Sequence, residues 1–147
     1  MPNSALLHIM FVHLPVIGTP ILLFLGWKAL RAKRIKVYKL FYWLTLATSL
    51  MTVVVYYTGP QTAEWIKIHM AEYPKELVET HALWGRFAFI GSVLSGILAL
   101  MAILNYAQEE KPHKAVPYVL VLVLLINFII LIYTAHFGGM IRRPYLL

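Results

Sequence analysis

The sequence predicts an all-α integral membrane protein, a four-helix up-down-up-down bundle, and three observations predict it. The 147 residues are 61% hydrophobic and only 13% charged, with a mean hydropathy of +0.73. Soluble domains are roughly half apolar and a quarter charged, so a water-soluble enzyme is excluded at the outset. The apolar residues gather into four stretches, each near the roughly 20 residues that a helix rising about 1.5 Å per residue needs to cross a bilayer core about 30 Å thick. The connections between them are too short for a separate soluble domain, which makes the whole of residues 1–147 one transmembrane domain.

The spans cover roughly residues 5–30, 40–58, 80–106 and 115–137. Asn3 and Ser4 offer caps before the first, whose interior is weakened below His13 by Pro15, Gly18 and Pro20. Thr58-Gly59-Pro60 is expected to end the second span, and Pro74 opens a polar first turn that runs into the third. The fourth carries the apolar run Val119 to Ala135 and is expected to stop at Gly138-Gly139. No low-complexity tract or internal repeat is evident.

Thirteen Lys and Arg against six acidic residues give a net charge of +7. In a soluble protein this excess would suggest nucleic acid, but here it sits between apolar runs, and no nucleic-acid partner is expected. Lys28, Arg31, Lys33, Arg34, Lys36 and Lys39 crowd the first connection, and Lys111 and Lys114 fall on the same side. Positively charged loops are retained in the cytoplasm. Both termini are therefore expected on the outer, periplasmic side of a bacterial inner membrane, where Lys67, Lys75, Arg142 and Arg143 are diluted by Glu64, Glu72, Glu76 and Glu79. Contact with anionic lipid is a secondary role for the basic loop. The basic cluster follows the first apolar run instead of preceding it, unlike a signal peptide.

The absence of cysteine removes disulfides, thiolate metal sites and covalently attached haem. Six histidines remain. His8 and His13 open span one, His81 opens span three and His136 closes span four, so four imidazoles from three helices fall at the outer end of the bundle. His69 lies in the outer loop, and His113 in the opposite one. A polar side chain within an apolar span usually faces the bundle interior, which makes His13 the most conspicuous. Each histidine taken singly also has a plain structural reading at an interface or a helix end; the convergence of four favours ligation.

From His81, steps of four and three give Gly85, Ala88, Ser92, Ser95, Ala99 and Ala102, a seam of small residues at heptad spacing. Helix packing explains such a seam over its inner half, while a flat macrocycle fits against its outer part under His81. Imidazole ligates haem iron, copper and zinc, and histidines on separate helices can bind a metal across a bundle. The spans hold no acidic residue to orient a bare metal site. The expected cofactor is therefore haem b, one or two, with His8, His13, His81 and His136 as candidate axial ligands, and copper or zinc as the alternative. Arg86, Arg142 and Arg143 are positioned to pair with propionates, and Trp84, Phe87, Tyr133, Tyr56 and Tyr57 to line the pocket. Arginines that snorkel to head groups and aromatic belts at an interface account for the same residues without a cofactor.

The expected function is that of a b-type cytochrome-like electron-transfer protein or subunit of a larger membrane complex, more a subunit than a stand-alone enzyme. Membrane lipid and a quinone or cytochrome are its expected partners. A cofactor-free structural subunit of a respiratory or photosynthetic complex is the alternative. His8-Ile-Met-Phe-Val-His13-Leu-Pro15 resembles the His-x4-His-x-Pro opening of a family of bacterial predicted four-span membrane proteins of unknown function. The resemblance extends through Thr58-Gly59, His81-Ala-Leu and Ala135-His136-Phe-Gly138-Gly139, nearly the whole chain. Ile9 stands where that family usually has proline, and the ending from Met140 departs from its Tyr-, His- and Gly-rich close. The resemblance implies the four-span fold and the histidine set, and no activity.

Overall fold

The computed structural model describes residues 3–70 and 72–142, with the backbone alone for Arg142. It is an all-helical bundle of four columns made from five helices: α1 (Asn3–Phe11), α2 (His13–Ala32), α3 (Ile35–His69), α4 (Lys75–Ala107) and α5 (Val116–Arg142). Each column is long and apolar enough to cross a membrane. The first column packs beside α3, α3 beside α4, α4 beside α5, and α2 closes the ring against α5. Successive columns alternate in direction, and the end holding His8, His81 and His136 is called the histidine end below.

The helix boundaries differ from the expected ones in ways that proline chemistry explains. Span one breaks at Val12, above His13: Pro15 has no N–H, so the Phe11 carbonyl loses its helical partner. Val12 keeps helical dihedrals, and its N–H still reaches the His8 carbonyl at 2.9 Å, so the break is a bend and not a loop. Thr58-Gly59-Pro60 does not stop α3, which continues to His69. The Thr58 hydroxyl donates to the Val54 and Val55 carbonyls, and the Thr62 hydroxyl to the Thr58 carbonyl, which supports the chain around the missing proline N–H. Gly138-Gly139 likewise lies inside α5. At 35 residues α3 is about 52 Å long and overshoots a bilayer core. At the opposite end α2 and α3 are joined through Lys33, whose left-handed conformation (φ 50) lets its N–H cap the Ala29 carbonyl at 3.0 Å.

The interior changes character along its length. Toward the basic end Leu22, Phe41, Tyr42, Ala99, Ala102, Leu120 and Leu124 form a packed apolar core. At mid-height the buried groups are polar: Ser49 donates to the Ser92 carbonyl, and the Asn127 amide donates to the Ser92 hydroxyl at 3.0 Å. Toward the histidine end the buried residues are smaller, chiefly Ala5, Pro15, Thr52, Val55, Val78, Ala88 and Thr134, around two imidazoles.

An internal repeat absent from the sequence reading is present in the fold. Advancing by the interval from His8 to His81 carries the buried positions Ala5, Pro15, Thr19, Leu22, Gly26 and Ala29 onto Val78, Ala88, Ser92, Ser95, Ala99 and Ala102, all buried. The interval from Val55 to Thr134 carries Phe41, Thr45, Thr52 and Thr62 onto Leu120, Leu124, Leu131 and Ile141, also buried. Matching heptads alone are common to bundles. Here they coincide with matched histidines, glycines and hydrogen bonds, so the two helical hairpins repeat one pattern.

Candidate functional site

His8 on α1 and His81 on α4 meet across the diagonal of the ring, with ring centres 6.4 Å apart and planes at 85°. Each is half-buried, and each is held in the same way. His8 Nδ1 lies 2.8 Å from the Val55 carbonyl of α3, and His81 Nδ1 lies 2.8 Å from the Thr134 carbonyl of α5. A carbonyl only accepts, so both Nδ1 atoms carry the proton and donate, which leaves the Nε2 lone pairs of the neutral rings available. Among the described residues neither Nε2 has a hydrogen-bond partner.

The glycine four residues beyond each accepting carbonyl makes space for the ring. A Cβ on Gly59 would stand 3.5 Å from His8 Cε1, and one on Gly138 would stand 3.0 Å from His81 Cε1 and 3.2 Å from its Nδ1. The unit of imidazole, carbonyl and glycine thus occurs twice, once per hairpin. Sequence reasoning missed it because the acceptors are backbone atoms of ordinary residues. The signal the sequence carries is a glycine inside each of α3 and α5, which reads as a terminator.

The expected layer of four imidazoles reduces to this pair. His13 and His136 are exposed on the outside of the bundle. Five residues turn a helix by about 140° beyond a full turn, so His13 points away from the face that carries His8. Arg86, five residues after His81, is exposed for the same reason. The His136 ring lies edge-on to that of its neighbour Phe137, at 5.6 Å between ring centres. His69 is exposed and stacks on Trp65 at 4.6 Å, and His113 lies at the basic end. Arg142 belongs to the last turn of α5, with its side chain outside the described residues, as is all of Arg143.

The expected aromatic lining is peripheral. Trp84 stacks on Tyr133 between α4 and α5, Tyr56 on Phe89 between α3 and α4, and Tyr57 and Phe87 are 65% and 47% exposed. The seam's inner residues Ser92, Ser95, Ala99 and Ala102 are buried, and at Gly96, beside it, a Cβ would meet Ser49 Oγ at 2.7 Å, a helix-to-helix contact. At Gly85, one turn below His81, nothing lies within 4 Å of where a Cβ would stand.

Two neutral imidazoles with free Nε2 atoms could each offer one nitrogen ligand to a metal. Metal–imidazole bonds are about 2 Å long, so two rings whose centres are 6.4 Å apart could share one ion between them. A bare zinc or copper ion needs three or four protein ligands. Among the described residues no three histidine or acidic side chains gather to hold a metal. No protein-family model, no curated protein and no solved structure matches the chain.

Proposed function

We propose that the chain is a small b-type cytochrome, or cytochrome-like subunit, that binds one haem b between His8 and His81 and carries electrons between the quinone pool and a partner at the outer face of a bacterial inner membrane. The observation that carries this reading is the pair of diagonal imidazoles 6.4 Å apart, each fixed by an Nδ1–H···O=C bond. Such bonds set ring orientation and raise the basicity of the coordinating nitrogen. When bound, haem supplies one-electron exchange at its iron.

The chain's own contribution is geometric. Val55 and Thr134 hold the two rings, Gly59 and Gly138 admit them, and the buried side chains around them are small. A single pair supports one haem and not two. The basic connection from Lys28 to Lys39 supports an orientation with the histidine end outward. Of the expected arginines Arg86 is exposed away from the pair, and Arg142 and Arg143, at and beyond the end of α5, remain the candidates to pair with propionates.

The test is a reduced-minus-oxidised spectrum of the purified protein, with haemin added to any colourless preparation. The expected result is a sharp α-band that is lost in His8→Ala and His81→Ala and kept in His13→Ala and His136→Ala. A protein that stays folded and takes up no haemin refutes the proposal and leaves the structural-subunit reading.

A further inference from the structure

The two hairpins are equivalent in their buried positions and in their histidine units, so the places where they differ are informative. Gly18 on α2 faces Thr48 on α3, and the repeat carries this pair onto Gly91 and Asn127. In the second hairpin the Asn127 side chain fills the space beside Gly91; a Cβ there would stand 2.7 Å from Asn127 Cγ. In the first, the shorter Thr48 side chain stands 3.4 Å from the corresponding point. A groove of about 280 Å³ remains between α2 and α3, open on the lipid side, with Ile17, Ile21 and Met51 among its walls and His13 at its histidine end.

We propose that this groove binds the head of a membrane quinone, hydrogen-bonded to His13, with its apolar tail running toward Ile21 or into the lipid; its link to electron transfer rests on the haem reading above. The groove's polar side chains are His13 and Thr48, and of the two only His13 has a donor to spare. The Thr48 hydroxyl already donates to the Leu44 carbonyl at 2.9 Å, whereas the His13 imidazole has no hydrogen bond among the described residues. An imidazole presents one donor and one acceptor, which suits both a quinone carbonyl and a hydroquinone hydroxyl. A phospholipid acyl chain has no group for it. The volume is near the lower bound of small-molecule sites, about 300 Å³. It accommodates a compact planar head.

The position also suits the partner. His13 follows His8 by five residues, about 7.5 Å along the helix axis, so a head held there lies less than two turns from the imidazole pair, on the outer flank of the same column. A hydroquinone gives up two electrons and two protons. A haem held by His8 and His81 would supply the one-electron acceptor, one in each of two chains or the same one reoxidised between two encounters. The first proton leaves to His13 and the second to water at the membrane boundary.

The test uses wild type, His13→Leu and Thr48→Asn, the last of which gives the first hairpin the side chain of the second. The purified proteins are incubated with decylubiquinone and excess phosphatidylglycerol, and retained quinone is counted by native mass spectrometry. Haem reduction by decylubiquinol is timed separately by stopped flow. The expected result is about one quinone per wild-type chain, at least tenfold less in both variants, and a matching loss of reduction rate with unchanged haem spectra and unchanged reduction by dithionite. Equal quinone retention in all three, or retention of phospholipid only, overturns the proposal. Quinone retained by a chain that takes up no haem overturns the haem reading and leaves the quinone site standing.

Discussion

The duplicated imidazole unit makes a differential prediction at its two glycines. Gly59→Ala and Gly138→Ala are chemically the same change at equivalent positions, yet the room differs. At Gly59 the new methyl meets His8 Cε1 at 3.5 Å, an ordinary contact. At Gly138 it meets His81 Cε1 at 3.0 Å and Nδ1 at 3.2 Å, so the ring must shift by a few tenths of an ångström. That ring is tethered at 2.8 Å to the Thr134 carbonyl of the same helix, and any retreat stretches the tether. A hydrogen bond of this kind contributes about 1 kcal/mol net, which is about a fivefold change in an equilibrium constant. Alanine also replaces glycine inside a helix, a gain of up to about 1 kcal/mol in propensity that offsets loss of fold stability. Gly138→Ala is therefore expected to weaken haem affinity about fivefold at unchanged melting temperature, with Gly59→Ala within twofold of wild type. Haemin titration followed at the Soret band, beside thermal unfolding of the same samples, measures both. Equal affinities for the two variants would refute the claim that the Thr134 and Gly138 contacts position His81.

Other changes test separate parts of the structure. Gly96→Ala brings a methyl to 2.7 Å from Ser49 Oγ at the α3–α4 contact and is expected to destabilise the bundle by about 1–3 kcal/mol in a denaturant titration, as overpacking does. Asn127→Leu removes one hydrogen bond to Ser92 together with an Oδ1 that has no partner, so its stability is expected to stay within about 0.6 kcal/mol of wild type in the same titration. On the proposed haem reading, prolonged washing with EDTA is expected to leave the visible spectrum intact, because iron held in a macrocycle resists the chelator; bleaching with release of copper or zinc would return the alternative metal site.

Much of the fold was legible because the bilayer imposes length and composition on each span, and four apolar runs separated by Lys33-Arg34, Pro74 and the Lys111–Lys114 stretch could be read directly. Helix ends were less so. Pro60 and Gly138 read as stops, but in an apolar setting unsatisfied backbone groups are too costly to expose, so the helices continue through them. The histidines were legible in depth and not in direction. Counting residues along an axis puts His8 and His13 near one level, while the 140° between them decides that His8 faces the interior and His13 the lipid. The repeat was hidden because it is carried by burial, two backbone acceptors and unlike residues such as Thr19 and Ser92, or Thr48 and Asn127.

The equivalence of the two hairpins has a consequence for the molecule as an object with sides. Two separate copies of one hairpin, paired about an axis, would present the same surface twice, and any change in one would appear in both. Joining the hairpins through residues 70–74 frees each to change alone. Pro15 bends the first column where Ala88 leaves the third straight, and His13 stands where the other hairpin has Arg86. The histidine pair keeps its balance at the centre, while the periphery gains a front and a back.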